Sequence, residues 1–187
     1  MLLGERSTVL KELVDAGLLP EQVSFDKTVG DNAIVARKTG KVKLGLGFVD
    51  ILNNGDYRQA VRKLVHERLH NIIETSGETE GIRKQIREIY DAFVKSNPGE
   101  ELSQYINWNE NNRYWDADNK TLTDEGIEEF FVESITSGEL ARYLNSVQST
   151  TEAKYSEVKD ENKTLWQKIV DILVKLLGRG NAKLNIK

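Results

Sequence analysis

Between residues 53 and 99 the chain leaves little freedom in what it can fold into. Two runs of helix-spaced apolar residues lie back to back, each bounded by turn chemistry. The first, from about Tyr57 to Glu74, puts Ala60, Val61, Leu64, Val65, Leu69, Ile72 and Ile73 on one face. Asn53-Asn54-Gly55-Asp56 precedes it as a turn that also offers an N-cap, and Thr75-Ser76-Gly77 stops it. The second covers about 80–96, with Ile82, Ile86, Ile89, Tyr90 and Phe93 inward, and Asn97-Pro98-Gly99 closes it.

The flanks are read from the same signals. Val9, Leu10, Leu13, Val14 and Leu18 predict a helix over 7–19 that Pro20 ends, and a loop follows through Gly30. Residues 32–49 read as a hairpin: a short apolar run, a Thr39-Gly40 turn, then Val42, Leu44, Leu46 and Phe48 in alternation. Residues 100–123 are polar and aromatic, a long loop pinned by Trp108, Tyr114 and Trp115. Thr123-Asp124-Glu125 opens a helix through residue 136, and 138–147 continues as a short one. The expected class is therefore α+β, mostly helical with a small antiparallel sheet, in one domain over 1–147. A polar linker or exposed helix at 148–161 follows. An amphipathic helix over 162–178 ends the pattern, with Gly178 as its C-cap.

The chain has no cysteine, so neither a disulfide nor a thiolate zinc site can hold it together. Its net charge of −4 argues against nucleic acid or an anionic membrane as a partner. No apolar run reaches the roughly 20 residues that cross a bilayer. The N-terminus lacks a basic region followed by an unbroken apolar one, so a cytoplasmic location is the expectation. The C-terminal helix carries Lys163, Lys168, Lys175 and Arg179 beside its apolar stripe, and packing on the domain is favoured over a membrane surface.

Both histidines of the chain fall in one five-residue stretch, His66-Glu67-Arg68-Leu69-His70, on the first of the two long helices. Side chains four apart project side by side, with Cβ atoms roughly 6 Å apart. Two imidazoles so placed can converge on one ion at Zn–N distances of about 2.0–2.1 Å. Glu67, one step around the helix, would flank the ion, where it could take a proton from the attacking water and deliver it to the leaving amine. A catalytic zinc needs a third protein ligand, and without a third histidine this must be a carboxylate. Glu74 continues along the same helix and would point beyond the ion. The stretch Glu128-Glu129-Phe130-Phe131-Val132-Glu133-Ser134 is the better source. Glu129 and Glu133 are four apart there, so one carboxylate can meet the metal while the next accepts an N–H from a ligand histidine. Glu128 would face another way.

The two stretches together resemble a gluzincin, the zinc metallopeptidase class with a glutamate third ligand. The downstream helix is similar to that of the anthrax lethal factor protease domain, and closer to the zincin-like domains of large polyvalent proteins from phages and conjugative elements. In those domains a helix like 86–98 lies between the motifs, a short segment like 137–147 follows, and an amphipathic helix often comes next. The likeness spans roughly residues 57–177, although only the two motifs are specific. It implies His66, His70 and Glu129 as ligands of Zn²⁺, Glu67 as general base, and Glu133 as the carboxylate behind a ligand histidine. It also implies an edge strand that aligns an extended peptide, for which 42–48 is the candidate.

The chain departs from that pattern at several positions. Arg68 and Asn71 stand where the family has small or apolar residues, and Ser134 replaces an alanine. Leu122 occupies the place, two helical turns before Glu129, where the lethal factor pattern has an oxyanion-stabilising tyrosine. Tyr114, Tyr143, Tyr105 and Arg142 are the substitutes the sequence offers. The expected function is a zinc-dependent endopeptidase acting on a peptide or protein, its own parent polyprotein included. The alternative is a non-catalytic zinc-binding or structural module of a larger phage-type polyprotein.

Overall fold

A computed structural model describes residues 23–29, 33–35, 42–76, 79–106, 113–119, 121–148 and 163–184. The helix expected over 7–19, Trp108, and the polar segment beyond Gln148 lie outside the described residues. The class is α+β and the described chain is mostly helical. It divides into two compact units, one ending at Thr75 and the other beginning at Ser76.

The first unit contains strands β1 (Val23–Phe25), β2 (Ala33–Val35) and β3 (Val42–Leu44), then helices α1 (Leu46–Asn53) and α2 (Tyr57–Thr75). β2 and β3 form the expected antiparallel pair, with Ile34 opposite Lys43. β1, in the stretch expected as loop, pairs with the other side of β3 in parallel, Ser24 opposite Lys43. β3 is thus the central strand, order β1-β3-β2. Its backbone is used on both sides, so it is not the edge that the peptide-aligning role requires.

The expected strand also stops short. Leu46 and Phe48 would share a face in a strand, yet Leu46 is 55% exposed and Phe48 is 0% exposed. The reason is that Leu44, Phe48 and Ile51 are spaced for a helix as well as for the core, and Gly45 and Gly47 weaken a strand. Val42, Leu44, Phe48, Ala60 and Leu64 form the core, with Ile51 packed against them. Below the sheet, the Asp26 carboxylate accepts from Thr28 N at 3.0 Å, Thr28 Oγ1 at 2.6 Å and Lys43 Nζ at 2.9 Å. Those bonds, the Thr28 hydroxyl first, hold its pKa well below the usual carboxylate range.

Three residues, Asn54, Gly55 and Asp56, join the two helices. Gly55 takes φ +80°, and Asp56 N donates back to Ile51 O at 3.1 Å, closing α1 as a left-handed C-terminal cap. The Asp56 carboxylate then accepts from Gln59 N at 3.1 Å and opens α2, the N-cap expected there.

The second unit holds α3 (Thr79–Lys95), a 3₁₀ turn (Glu100–Tyr105), a two-stranded antiparallel ribbon of β4 (Trp115–Asp116) and β5 (Thr121–Leu122), then α4 (Asp124–Thr136), α5 (Gly138–Ser146) and α6 (Leu165–Leu184). The helices pack in a ring: α3 on α4, α4 on α5, α5 on α6, and α6 back on α3. Ile86, Ile89 and Phe93 of α3, Ile127, Phe130 and Phe131 of α4, Leu140 and Leu144 of α5, and Leu165, Ile169 and Leu176 of α6 are buried within it. Tyr90 meets Phe130 edge-on at 5.1 Å and Phe93 meets Tyr143 edge-on at 5.7 Å.

α3 ends as its sequence requires, with Asn97 at φ 56° just before Pro98. α6 does not end at Gly178 but runs to Leu184, because a helix-interior glycine costs only about 1 kcal/mol and no proline follows. Among the described residues no helix is long and apolar enough to cross a membrane.

Candidate metal centre

α2 carries His66, Glu67 and His70, all half-buried. The i, i+4 spacing brings the two imidazoles together with ring centroids 5.0 Å apart and planes at 63°. Glu129 is half-buried on α4. One potential ligand atom from each of His66, His70 and Glu129 lies within 4.8 Å of the other two, and the group could hold a metal ion. A tetrahedral ion with ligands at about 2.0–2.1 Å needs donor atoms roughly 3.3 Å apart. Two imidazole nitrogens and a carboxylate oxygen suit zinc and several other divalent metals.

The register of α4 is fixed at its start. Thr123 caps the helix by accepting from Gly126 N at 3.1 Å, while its own hydroxyl donates to Arg113 O at 2.6 Å and its N–H to Tyr114 O at 3.0 Å. Tyr114 O also lies against Gly126, where a Cβ would come within 2.2 Å of it. No residue but glycine fits there. Glu129 and Glu133 are half-buried, while Ile127, Phe130, Phe131 and Ser134 are buried.

Glu128 does face another way: it is buried and accepts from Arg83 Nε at 2.9 Å and from Arg83 Nη2, between α4 and α3. Arg87 extends this contact, donating to Leu122 O at 2.9 Å and to Asp124 Oδ1 at 3.2 Å. Sequence reasoning did not find these arginines, and helical spacing alone gives no sign of their partners. Gly126 was detectable in principle, since a glycine inside a first helical turn signals a close approach.

The three unusual positions are absorbed locally. Ser134 is fully buried and donates to Phe130 O at 2.7 Å within α4. Arg68 and Asn71 answer each other: Arg68 Nη1 donates to Asn71 Oδ1, and Asn71 is 3% exposed. Arg68 Nε is buried without a hydrogen-bond partner among the described residues, and burial lowers the guanidinium pKa.

Of the four candidate oxyanion donors, two have hydroxyls engaged in packing contacts. Tyr143 OH lies 3.0 Å from Ser96 Oγ and donates to Ser96 O at 3.3 Å. Tyr105 OH donates to Ser137 Oγ at 3.1 Å in a buried contact. Arg142 is exposed on α5. Tyr114 is half-buried at the clamp on the first turn of α4. Leu122, where the lethal factor pattern has a tyrosine, is 1% exposed.

No protein-family model, curated protein or solved structure matches the chain.

Proposed function

We propose that this protein is a zinc-dependent endopeptidase of the gluzincin type, working in the cytoplasm on a peptide or protein substrate. What supports the reading is the convergence of His66, His70 and Glu129 within 4.8 Å. These three would hold the ion. Zinc bound there would supply Lewis acidity, activating water near neutral pH and polarising a peptide carbonyl.

The chain's own groups do the rest. Glu67 takes the proton of the attacking water and passes it to the leaving amine. Glu133 accepts an N–H from a ligand histidine, which fixes that ring's tautomer and direction. Tyr114, half-buried beside the first turn of the helix that carries Glu129, is the residue assigned to donate to the developing oxyanion.

The first test is elemental analysis of wild type against His70→Ala. About one zinc per wild-type chain, lost in the variant, is expected. Absence of metal from both after zinc is supplied would sink the proposal. Glu67→Gln should then keep the ion while turnover falls by about 10²–10⁴-fold, and undiminished cleavage by it would refute the mechanism.

One observation favours a second reading, a non-catalytic zinc-binding module of a larger phage-type polyprotein: Leu122 is buried where the resemblance calls for a tyrosine. Zinc bound without cleavage of any peptide in a library, or of the parent chain by mass spectrometry, would decide for the module.

A further inference from the structure

Arg113 is tied to the start of α4 through its backbone. Its carbonyl accepts from the Thr123 hydroxyl at 2.6 Å, and the next carbonyl, of Tyr114, rests on Gly126. From that position Arg113 Nε donates to Glu125 Oε2 at 2.6 Å. The two side chains are 56% and 51% exposed, so the pair sits in solvent and is open to screening by salt. Glu125 and Glu129 are four apart on α4 and share a face. A guanidinium held on Glu125 therefore stands one helical turn from the carboxylate of the metal group. Its pKa is raised first by the hydrogen bond to Glu125, and the charges of Tyr114, Glu125 and Glu129 add to this. The charge of Arg113 is thus felt at Glu129.

We propose that Arg113 and Glu125 form a charge pair that sets how tightly the His66, His70 and Glu129 group retains a divalent cation. This rests on the metal-site reading and extends it. An arginine stays charged at every working pH, so its opposition to an incoming dication is constant. Glu125 limits that opposition by holding the guanidinium in a hydrogen bond of its own. Neither residue is a ligand; both are positioning residues for charge.

The test is zinc affinity, measured by competition with a chromophoric chelator at about 10 mM and about 1 M salt. A unit charge near a dication, at an effective dielectric between that of a protein surface and that of water, changes affinity by about tenfold. Arg113→Gln is expected to bind zinc about tenfold tighter than wild type in low salt, with the gain fading in high salt. Arg113→Lys keeps the charge and should stay near wild type. Glu125→Gln should weaken binding, and more so in the wild-type background than beside Arg113→Gln, because only there is a guanidinium left without the Glu125 carboxylate that offsets its charge.

An Arg113→Gln affinity equal to or below wild type in low salt would overturn the proposal, as would a gain that persists undiminished at 1 M salt. Thermal melts of the metal-free variants check that each folds. If wild type binds no zinc, the metal site itself falls and this inference with it. If wild type binds zinc, His70→Ala does not, and Arg113→Gln is unchanged, only the charge-pair proposal falls.

Discussion

At Gly126 the absence of a side chain lets α4 begin where it does. Tyr114 O fills the space a Cβ would take, and the same carbonyl accepts the Thr123 N–H. Gly126→Ala must push a backbone oxygen out of a 2.2 Å contact or shift the first turn. The expected cost is about 2–3 kcal/mol, read from a lowered denaturant midpoint at constant slope, with weaker zinc binding because Glu129 lies one turn further on. A stability within about 0.5 kcal/mol of wild type would show that the clamp yields easily. The two histidines of the metal-capable group were legible from sequence because histidine is rare here and four-residue spacing has one geometric meaning on a helix. Tyr114, Tyr143 and Tyr105 were not separable in that way. The Tyr143 and Tyr105 hydroxyls meet Ser96 and Ser137, residues distant in the chain, and spacing carries no record of those contacts.

At the scale of elements, apolar periodicity located α2, α3, α4 and α5 to within a residue or two, since each has one wet and one buried face over at least two turns. It failed where two periods overlap. Over 42–51 the alternation of a strand and the four-residue step of a helix both fit, and burial of Phe48 with Ile51 decided for the helix after Leu44. β1 was missed for another reason: three residues gain their place only through pairing with a strand about 20 positions away.

The packing of α3 on α4 carries a pH signature. Tyr90 is 3% exposed against Phe130, and burial, with the nearby Asp91 charge, raises its phenol pKa from 10.0 to about 12. The folded chain holds that proton more tightly than the unfolded one. The resulting stabilisation is complete below pH 10 and is lost as pH climbs to about 12. Denaturant melts across this window should show a steeper alkaline loss for wild type than for Tyr90→Phe. Parallel curves would mean the phenol ionises without opposing the fold.

For the molecule as a whole, the −4 charge and lack of cysteine leave the fold dependent on apolar packing and hydrogen bonds, with nothing covalent to fall back on. A ligand that binds only the folded chain then has large leverage on stability. With free zinc near a thousandfold above its dissociation constant, the gain is about 4 kcal/mol, a rise in melting midpoint of roughly 10 °C. His70→Ala should melt at the same temperature with and without zinc; an equal rise in that variant would place the metal elsewhere.

The contact between Arg68 and Asn71 constrains the order in which such a chain could acquire the two residues. Asparagine arriving first at 71 brings a neutral amide into a buried place, at the modest cost of one unmet polar group. Arginine arriving first at 68 puts a charged group into a half-buried place with neither Nε nor Nη1 answered, which costs more than an unmet neutral amide. The accessible mutational path therefore runs through Asn71, and the reverse path through Arg68 alone is the one selection would close. Reverting Asn71 while Arg68 remains should accordingly harm the fold more than reverting both.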